Sequence, residues 1–383
     1  MRCDVSNRTV LDIGEHALIA RITARLATPS WVVVGPGDDA AVIRPERGAL
    51  DVLTTDAQVE GVHFDRRFVP PDAIGHRALA VNISDLAAMG AAPRAALLSL
   101  VLPDELEVAA LDSLVDGFIA LAERHRVAVI GGNITRSPGP LMIDVTAIGS
   151  VKPRRILTRF GARPGDEVFV TGTIGGAAVG LHSLRTRAGG PEGPPLRSSA
   201  DAAGGPEGPP LRSSADAAGG PEGPPLRSSA DVEADLQVRL NENEQKYLRP
   251  EPRVRAGLLL GRNRAASACI DLSDGLADGL RQIAGASGVG ITVEEAAIPL
   301  ADGVAAFHRN LGSDALCAAL AGGDDYELLF TARPAWRGRL RAVRRQTADL
   351  PITKIGVVTR DARLIVRSAA GDRDLPAGFE HFR

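Results

Sequence analysis

A chain of 383 residues with 44% hydrophobic residues is long enough for two to three domains and can bury a sizeable core. Only 3% of residues are aromatic, so Leu, Val, Ile and Ala must fill that core. A net charge of −3 argues against a nucleic-acid or membrane-surface protein, and no apolar run reaches the roughly 18 residues a membrane helix needs.

The N-terminus lacks the apolar core of a signal peptide. Cys3, Cys269 and Cys317 are widely spaced and form no CxxC, so a reducing cytoplasm is expected. Only Lys152, Lys246 and Lys354 among the 44 basic residues are lysines. That bias reads as GC-rich codon usage rather than as phosphate recognition.

WVVV (31–34) reads as a strand, and the glycine turn of GPGDDAAV sets Asp38 and Asp39 at its end. Gly and Asp also dominate ordinary surface turns. DVLTTDA (51–57) reads as a second strand, running into a polar loop and carrying Thr54, Thr55 and Asp56. Hydroxyl or backbone oxygens beside a carboxylate suit a hard cation, although an Asx turn or helix cap uses the same residues. His63 follows in GVHF, where a lone His is more often structural.

DAIGHRALAVNISDLAAMG (72–90) predicts a helix with Ile74, Ala78, Val81 and Leu86 on one face and Gly90 as its stop. Asp85 sits among Leu86, Ala87, Ala88 and Met89, on the same face as Asn82; a charge there needs a partner. Next come a strand at 95–103, an amphipathic helix at 114–125 and strands at 127–132 and 141–151.

ARPGDEVFVTG (162–172) starts a second set of turn, strand and glycine-led helix. GTIGGAAVG (172–180) does not match GxGxxG, and GxxxxGK[ST] is lacking throughout, so those glycines read as tight strand–helix packing. AGGPEGPPLRSSADA (188–202) recurs at 203–217 and, with one change, at 218–232. One Leu per unit cannot give a solenoid its apolar face, so 188–232 is expected to be a disordered surface insertion made by tandem duplication.

IDLSDGLADGLRQIAGASG (270–288) predicts a strand end, a turn and a helix, with Asp271 and Asp274 around Ser273. N-capping is the structural alternative for these residues. AGGDDYELLF sets Asp324 and Asp325 before a strand at 326–332, and a last strand is predicted at 352–359. Like charges gathered from such clusters repel, so a fold that collects them must supply cations. Hard oxygen ligands suit Mg²⁺, which takes one or two carboxylates plus substrate phosphates. The expectation is a magnesium and phosphate enzyme of two α/β domains, 1–153 and 154–383, divided near KPRRILTR.

In order along the chain, GPGDDAAV, TTDAQVEGVHF, ALAVNISDLAAMGA, GGNITR, ILTRFGARPGDEVFVTGTIGG, IDLSDGL, GGDDYELLF and GFEHF resemble the thiamine-monophosphate kinases, of the aminoimidazole ribonucleotide synthetase-like superfamily. Each motif is weak alone; the ordered series is highly specific and spans nearly the whole chain outside 188–232. The resemblance implies a two-domain α/β (α+β) fold of that superfamily, its N-terminal domain pairing in a homodimer, with the active site in the cleft. It implies ATP-dependent phosphorylation of thiamine phosphate to thiamine diphosphate. Several Mg²⁺ ions are then assigned to Asp39, Thr54, Thr55, Asp56, Asp85, Asn133, Asp271 and Asp274. Thiamine phosphate is assigned to His63, Asp324 and Phe379, and ATP to Gly132, Asn133, Arg159 and Ser273. Asp85 and Arg159 carry most weight, and no residue acts as general base.

One departure stands out: the family's Gly-Gly-Asp is Gly131, Gly132 and Asn133 here, an oxygen ligand without its charge. Within the superfamily, a selenide water dikinase needs a reactive Cys and a Lys near the N-terminus, and the first lysine is Lys152. A hydrogenase maturation factor ends in a reactive cysteine, whereas this chain ends GFEHFR. The alternative from another class is a non-catalytic nucleotide- or thiamine-phosphate-binding homologue.

Overall fold

The structure is a computed structural model that describes residues 8–189, 241–347 and 349–376. The expectations for Phe379 and for most of 188–232 fall outside the described residues. The chain opens with two short helices, α1 (Val10–Ile13) and α2 (Glu15–Thr23), then a two-stranded ribbon of β1 (Val32–Val34) and β2 (Val42–Ile43).

The first main sheet contains β3 (Leu50–Val59), β4 (Ala92–Pro103), β5 (Ala128–Ser137) and β6 (Met142–Val151), in the order β3-β6-β4-β5. Neighbours run antiparallel except β4 and β5, which are parallel and joined by α4 (Val108–His125). That helix and α3 (Pro71–Ala88) cover one face. The two helices cross closely because each offers a glycine. A Cβ at Gly75 would lie 1.8 Å from the Leu114 carbonyl oxygen, and one at Gly117 would lie 2.0 Å from that of Asp72.

The second sheet joins β7 (Glu167–Thr171), β8 (Ala268–Asp271), β9 (Gly290–Glu294), β10 (Leu328–Ala332), β11 (Ile352–Thr359), β12 (Leu364–Ser368) and β13 (Gly371–Asp374). Its order is β13-β12-β9-β11-β7-β10-β8. Helices α5 (Gly176–Arg187), α6 (residues 241–248), α7 (Val254–Asn263), α8 (Leu276–Ser287), α9 (Val304–Asn310), α10 (Ala315–Ala321) and α11 (Arg337–Gln346) accompany it. Both faces of the central strands are covered, which is why VFV and LLF are unbroken apolar runs. Val168, Val170 and Leu329 pack with α8 and α10, whereas Phe169, Leu328 and Phe330 pack with α7 and α11. Phe169 and Phe330 stack at 5.3 Å between ring centres.

The two halves are not independent cores. Helix α3 packs on α4, β3 and β6 and also on α7 and β8, so it is buried along almost its whole length. Ala177 and Leu184 of α5, Tyr247 and Leu248 of α6, and Val254 pack into the N-terminal core. Among the described residues no helix is long and apolar enough to cross a membrane.

Candidate active site

Strand β3, the last turn of α3 and the end of β8 meet at a crevice of about 240 Å³ between the two sheets, lined by Thr54, Asp85, Met89, Arg159 and Asp271 among others. Strand alternation turns Thr54 and Asp56 toward α3, where the Thr54 hydroxyl donates to Asp85 Oδ2. The adjacent Ser84 hydroxyl donates to Asp271 Oδ2 at 2.7 Å, tying α3 to β8. Asp85 lies in the last helical turn, its carbonyl accepting the Met89 N–H at 3.0 Å. The negative end of the helix dipole disfavours an anion there.

Burial, then the charge of Asp85, pushes Asp56 up to about 7. The same two causes, in the same order, push the wholly buried Asp271 up to about 7. Asp85 is raised as well, chiefly by burial, against the Thr54 hydrogen bond and the charge of Arg159. Asp144 and Asp274 add repulsion on Asp56. The four carboxylates Asp56, Asp85, Asp271 and Asp274 thus form one electrostatic group that is short of positive charge.

The helix that follows β8 is not capped by the aspartates before it. Its N-cap is Gly275, with no side-chain cap bond, so the capping alternative does not account for Asp271, Ser273 or Asp274. In GGDDYELLF the two aspartates do different work. Asp325 caps α5, accepting the Gly175 N–H at 2.6 Å and the Ala177 N–H at 3.2 Å, and burial raises it to about 7. Asp324 Oδ1 accepts from Arg77 Nη2 at 2.8 Å and from the Tyr326 hydroxyl at 3.1 Å.

The Asp324 N–H donates to the Ser273 carbonyl at 2.7 Å, so the loop bearing Asp324 is laced to the turn after Asp271. Arg77 is almost fully buried and stacks over the Tyr247 ring, 4.2 Å from its centre. The Tyr247 hydroxyl donates to the His63 carbonyl at 3.0 Å. His63 Nδ1 accepts the Val59 N–H at 3.0 Å, which leaves the proton of the neutral ring on Nε2. His63 and Asp324, far apart in sequence, are therefore joined through Tyr247 and Arg77.

Other expected residues lie elsewhere. Thr55 faces the side of the sheet away from α3, where its hydroxyl meets Asp144 Oδ1 at 3.3 Å and Thr146 Oγ1 at 3.2 Å. Asn133 lies on that same side, level with Ser99 and Asp144 in the strand register. Gly132 has a steric reason to be glycine, since a Cβ would lie 1.9 Å from the Leu98 carbonyl oxygen. Asp39 is exposed in the turn between β1 and β2, its N–H held by the Asp38 carboxylate at 2.8 Å. Arg159 is exposed at the crevice and hydrogen-bonds Gln282.

Among the described residues, no three carboxylate, histidine or cysteine side chains stand as a ready-made metal cage. Sequence reasoning missed Arg77, Tyr247 and Ser84. Arg77 carried a usable signal, a charge amid the apolar run of α3, the same argument that singled out Asp85.

Residues 37–151 match the family described as AIR synthase related protein, N-terminal domain, and residues 226–368 its C-terminal domain. Thiamine-monophosphate kinase of Bacillus subtilis (strain 168) is 33% identical over 97% of this chain and 100% of its own length. The crystal structure of thiamine-monophosphate kinase from Stenotrophomonas maltophilia K279a has a TM-score of 0.70 at 36% identity, covering 92% of this chain and 96% of that one. AaThiL complexed with AMPPCP and TMP has a TM-score of 0.66 at 29% identity, covering 97% and 98%.

Proposed function

The chain belongs to the thiamine-monophosphate kinase family, and from that membership we infer that it transfers the γ-phosphoryl group of ATP to thiamine phosphate, giving thiamine diphosphate and ADP. The observation that carries this reading is the pair of carboxylates Asp85 and Asp271 at one crevice with Arg159, with Asp56 against Asp85 and the Ser273 carbonyl tied to Asp324. The complex of AaThiL with an ATP analogue and TMP supports both ligands.

A phosphate oxygen of thiamine phosphate, ionised near neutral pH, is the nucleophile. It forms a bond to the γ-phosphorus while the bond to the β–γ bridging oxygen breaks and ADP leaves. No proton need be removed, so no residue is assigned as general base. The barrier is repulsion between two anions plus alignment, and this chain's residues act on both. Arg159 brings a fixed positive charge to the transferring phosphates, and with Ser273, Gly132 and Asn133 it is assigned to ATP. His63, Asp324 and Phe379 are assigned to thiamine phosphate.

Three crowded carboxylates with raised proton affinity fit Mg²⁺. Thr54, Asp56, Asp85, Asp271 and Asp274 would hold it at the crevice, with Asp39, Thr55 and Asn133 as ligands for further Mg²⁺ ions at the exposed turn and the opposite sheet face. When bound, Mg²⁺ supplies screening of the phosphate charges and orientation of the triphosphate.

We assign residues 1–153 to the N-terminal domain and 154–383 to the C-terminal one, and place the enzyme in the cytoplasm. A homodimer through the N-terminal domain is supported by exposed apolar side chains on β1, β2 and β3, with Leu53 66%, Val33 55% and Val42 49% exposed. The test is direct. Purified protein with ATP, thiamine phosphate and Mg²⁺ forms thiamine diphosphate and ADP; no product at high enzyme and Mg²⁺ sinks the kinase reading and leaves the binding homologue.

A further inference from the structure

Arg77 is one of the largest fully buried side chains of the described residues, and it is a charge. It joins three segments remote in sequence. Its Nη2 donates to Asp324 Oδ1 at 2.8 Å, in the loop before β10. Its Nη1 donates to the carbonyl of Tyr247, on α6, whose ring it also stacks on. The Tyr247 hydroxyl then donates at 3.0 Å to the carbonyl of His63, in the turn after β3.

Stability alone is a poor reason for this arrangement. Burying a guanidinium has a desolvation cost that often exceeds what the ion pair returns. Arg77 Nε is buried and has no hydrogen-bond partner among the described residues, a further cost. The loop it holds is itself strained: Asp324 and Tyr326 have φ of 69° and 49°, in the left-handed region that side chains disfavour. Strained backbone and an imperfectly satisfied buried charge, met at one point, mark a place organised for a ligand.

We propose that Arg77 is a positioning residue for the substrate, holding Asp324 and, through Tyr247, the His63 turn, so that Asp324 Oδ2 meets the cationic thiamine moiety. This rests on the assignment of His63 and Asp324 to thiamine phosphate. Among the described residues, both hydrogen bonds to the Asp324 side chain, from Arg77 and from Tyr326, fall on Oδ1. The anion is thereby oriented, with Oδ2 turned to a positively charged heterocycle or its amino group. The planar fork of Arg does what Lys cannot, donating to Asp324 and to the Tyr247 carbonyl while stacking on the ring.

Calorimetry tests this with wild type, Arg77→Lys and Tyr247→Phe, using thiamine phosphate and, separately, a non-hydrolysable ATP analogue. Tyr247→Phe keeps the ring under Arg77 and removes only the hydrogen bond to His63, so it keeps the test open if Arg77→Lys does not fold. Each folded variant binds thiamine phosphate about tenfold more weakly, the size expected for one lost hydrogen bond, and binds the analogue as wild type does. Unchanged thiamine phosphate affinity in Tyr247→Phe, or an equal loss of both ligands, overturns the inference. Wild type that binds thiamine phosphate yet forms no thiamine diphosphate overturns the kinase reading alone. Wild type that does not bind thiamine phosphate overturns both.

Discussion

Ser84 donates a hydrogen bond to Asp271 across the seam between the two sheets, with Oγ 2.7 Å from Oδ2. Because Asp85 follows Ser84, this bond fixes the last turn of α3 against the end of β8. It also favours the charged form of Asp271 against burial, which raises it.

Ser84→Ala should therefore do two things. It leaves a buried carboxylate oxygen unsatisfied, at about 1–3 kcal/mol of stability. It also lets Asp271 protonate more readily, so more Mg²⁺ is needed for half-maximal rate. Urea denaturation and a Mg²⁺ titration of turnover check both; wild-type values in the two would detach Ser84 from the site.

The pH dependence has a definite sign. Asp56 and Asp271 are each raised to about 7 in the native state, whereas an unfolded Asp titrates near ~4. Between those values the native protein holds protons that the unfolded chain has released, so these groups cost stability as pH rises, fully so above about 7. Asp56→Asn removes its share of that loss. In metal-free buffer the variant should gain on wild type in urea midpoint from pH 5 to pH 8, and added Mg²⁺ should narrow the gap. A constant difference across that range would mean the carboxylates do not repel as described.

Gly117 allows α4 to meet α3. A methyl group there would lie 2.0 Å from the Asp72 carbonyl oxygen, a backbone atom that cannot swing aside. Gly117→Ala should lower stability by about 1–3 kcal/mol or more, the range for overpacking. Gly285→Ala, on α8 with nothing within 4 Å, is the control and should be neutral or slightly stabilising. Equal Tm values for the two variants would contradict the close crossing.

Much of the fold was legible where apolar periodicity is strong. Strand β11 spans Ile352–Thr359, the bounds expected for it, although a bulge between Lys354 and Gly356 breaks its alternation, and α3 ends at Ala88, just short of its Gly90 stop. Helix α11 was not legible, because RGRLRAVRRQ offers only Leu340 and Val343 as buried apolar residues among five arginines. At the site, strand alternation alone says that Thr54, Thr55 and Asp56 cannot share one face. The structure turns Thr54 and Asp56 to α3 and Thr55 away. Tyr247 gave no signal, since its role depends on where α6 docks, and no local pattern encodes a contact with a residue 170 positions earlier.

Asp85 joins the two sheets' carboxylates, and turnover by Asp85→Asn measures its role most directly. Phosphorus NMR of ATP, thiamine phosphate and Mg²⁺ should show wild type forming thiamine diphosphate and ADP in equal amounts. Asp85→Asn should keep or raise the metal-free Tm, because a repelling charge is gone, while turnover falls by roughly 10²–10³-fold or more. A folded Asp85→Asn enzyme turning over at the wild-type rate would contradict the central claim that the carboxylates at this crevice serve phosphoryl transfer.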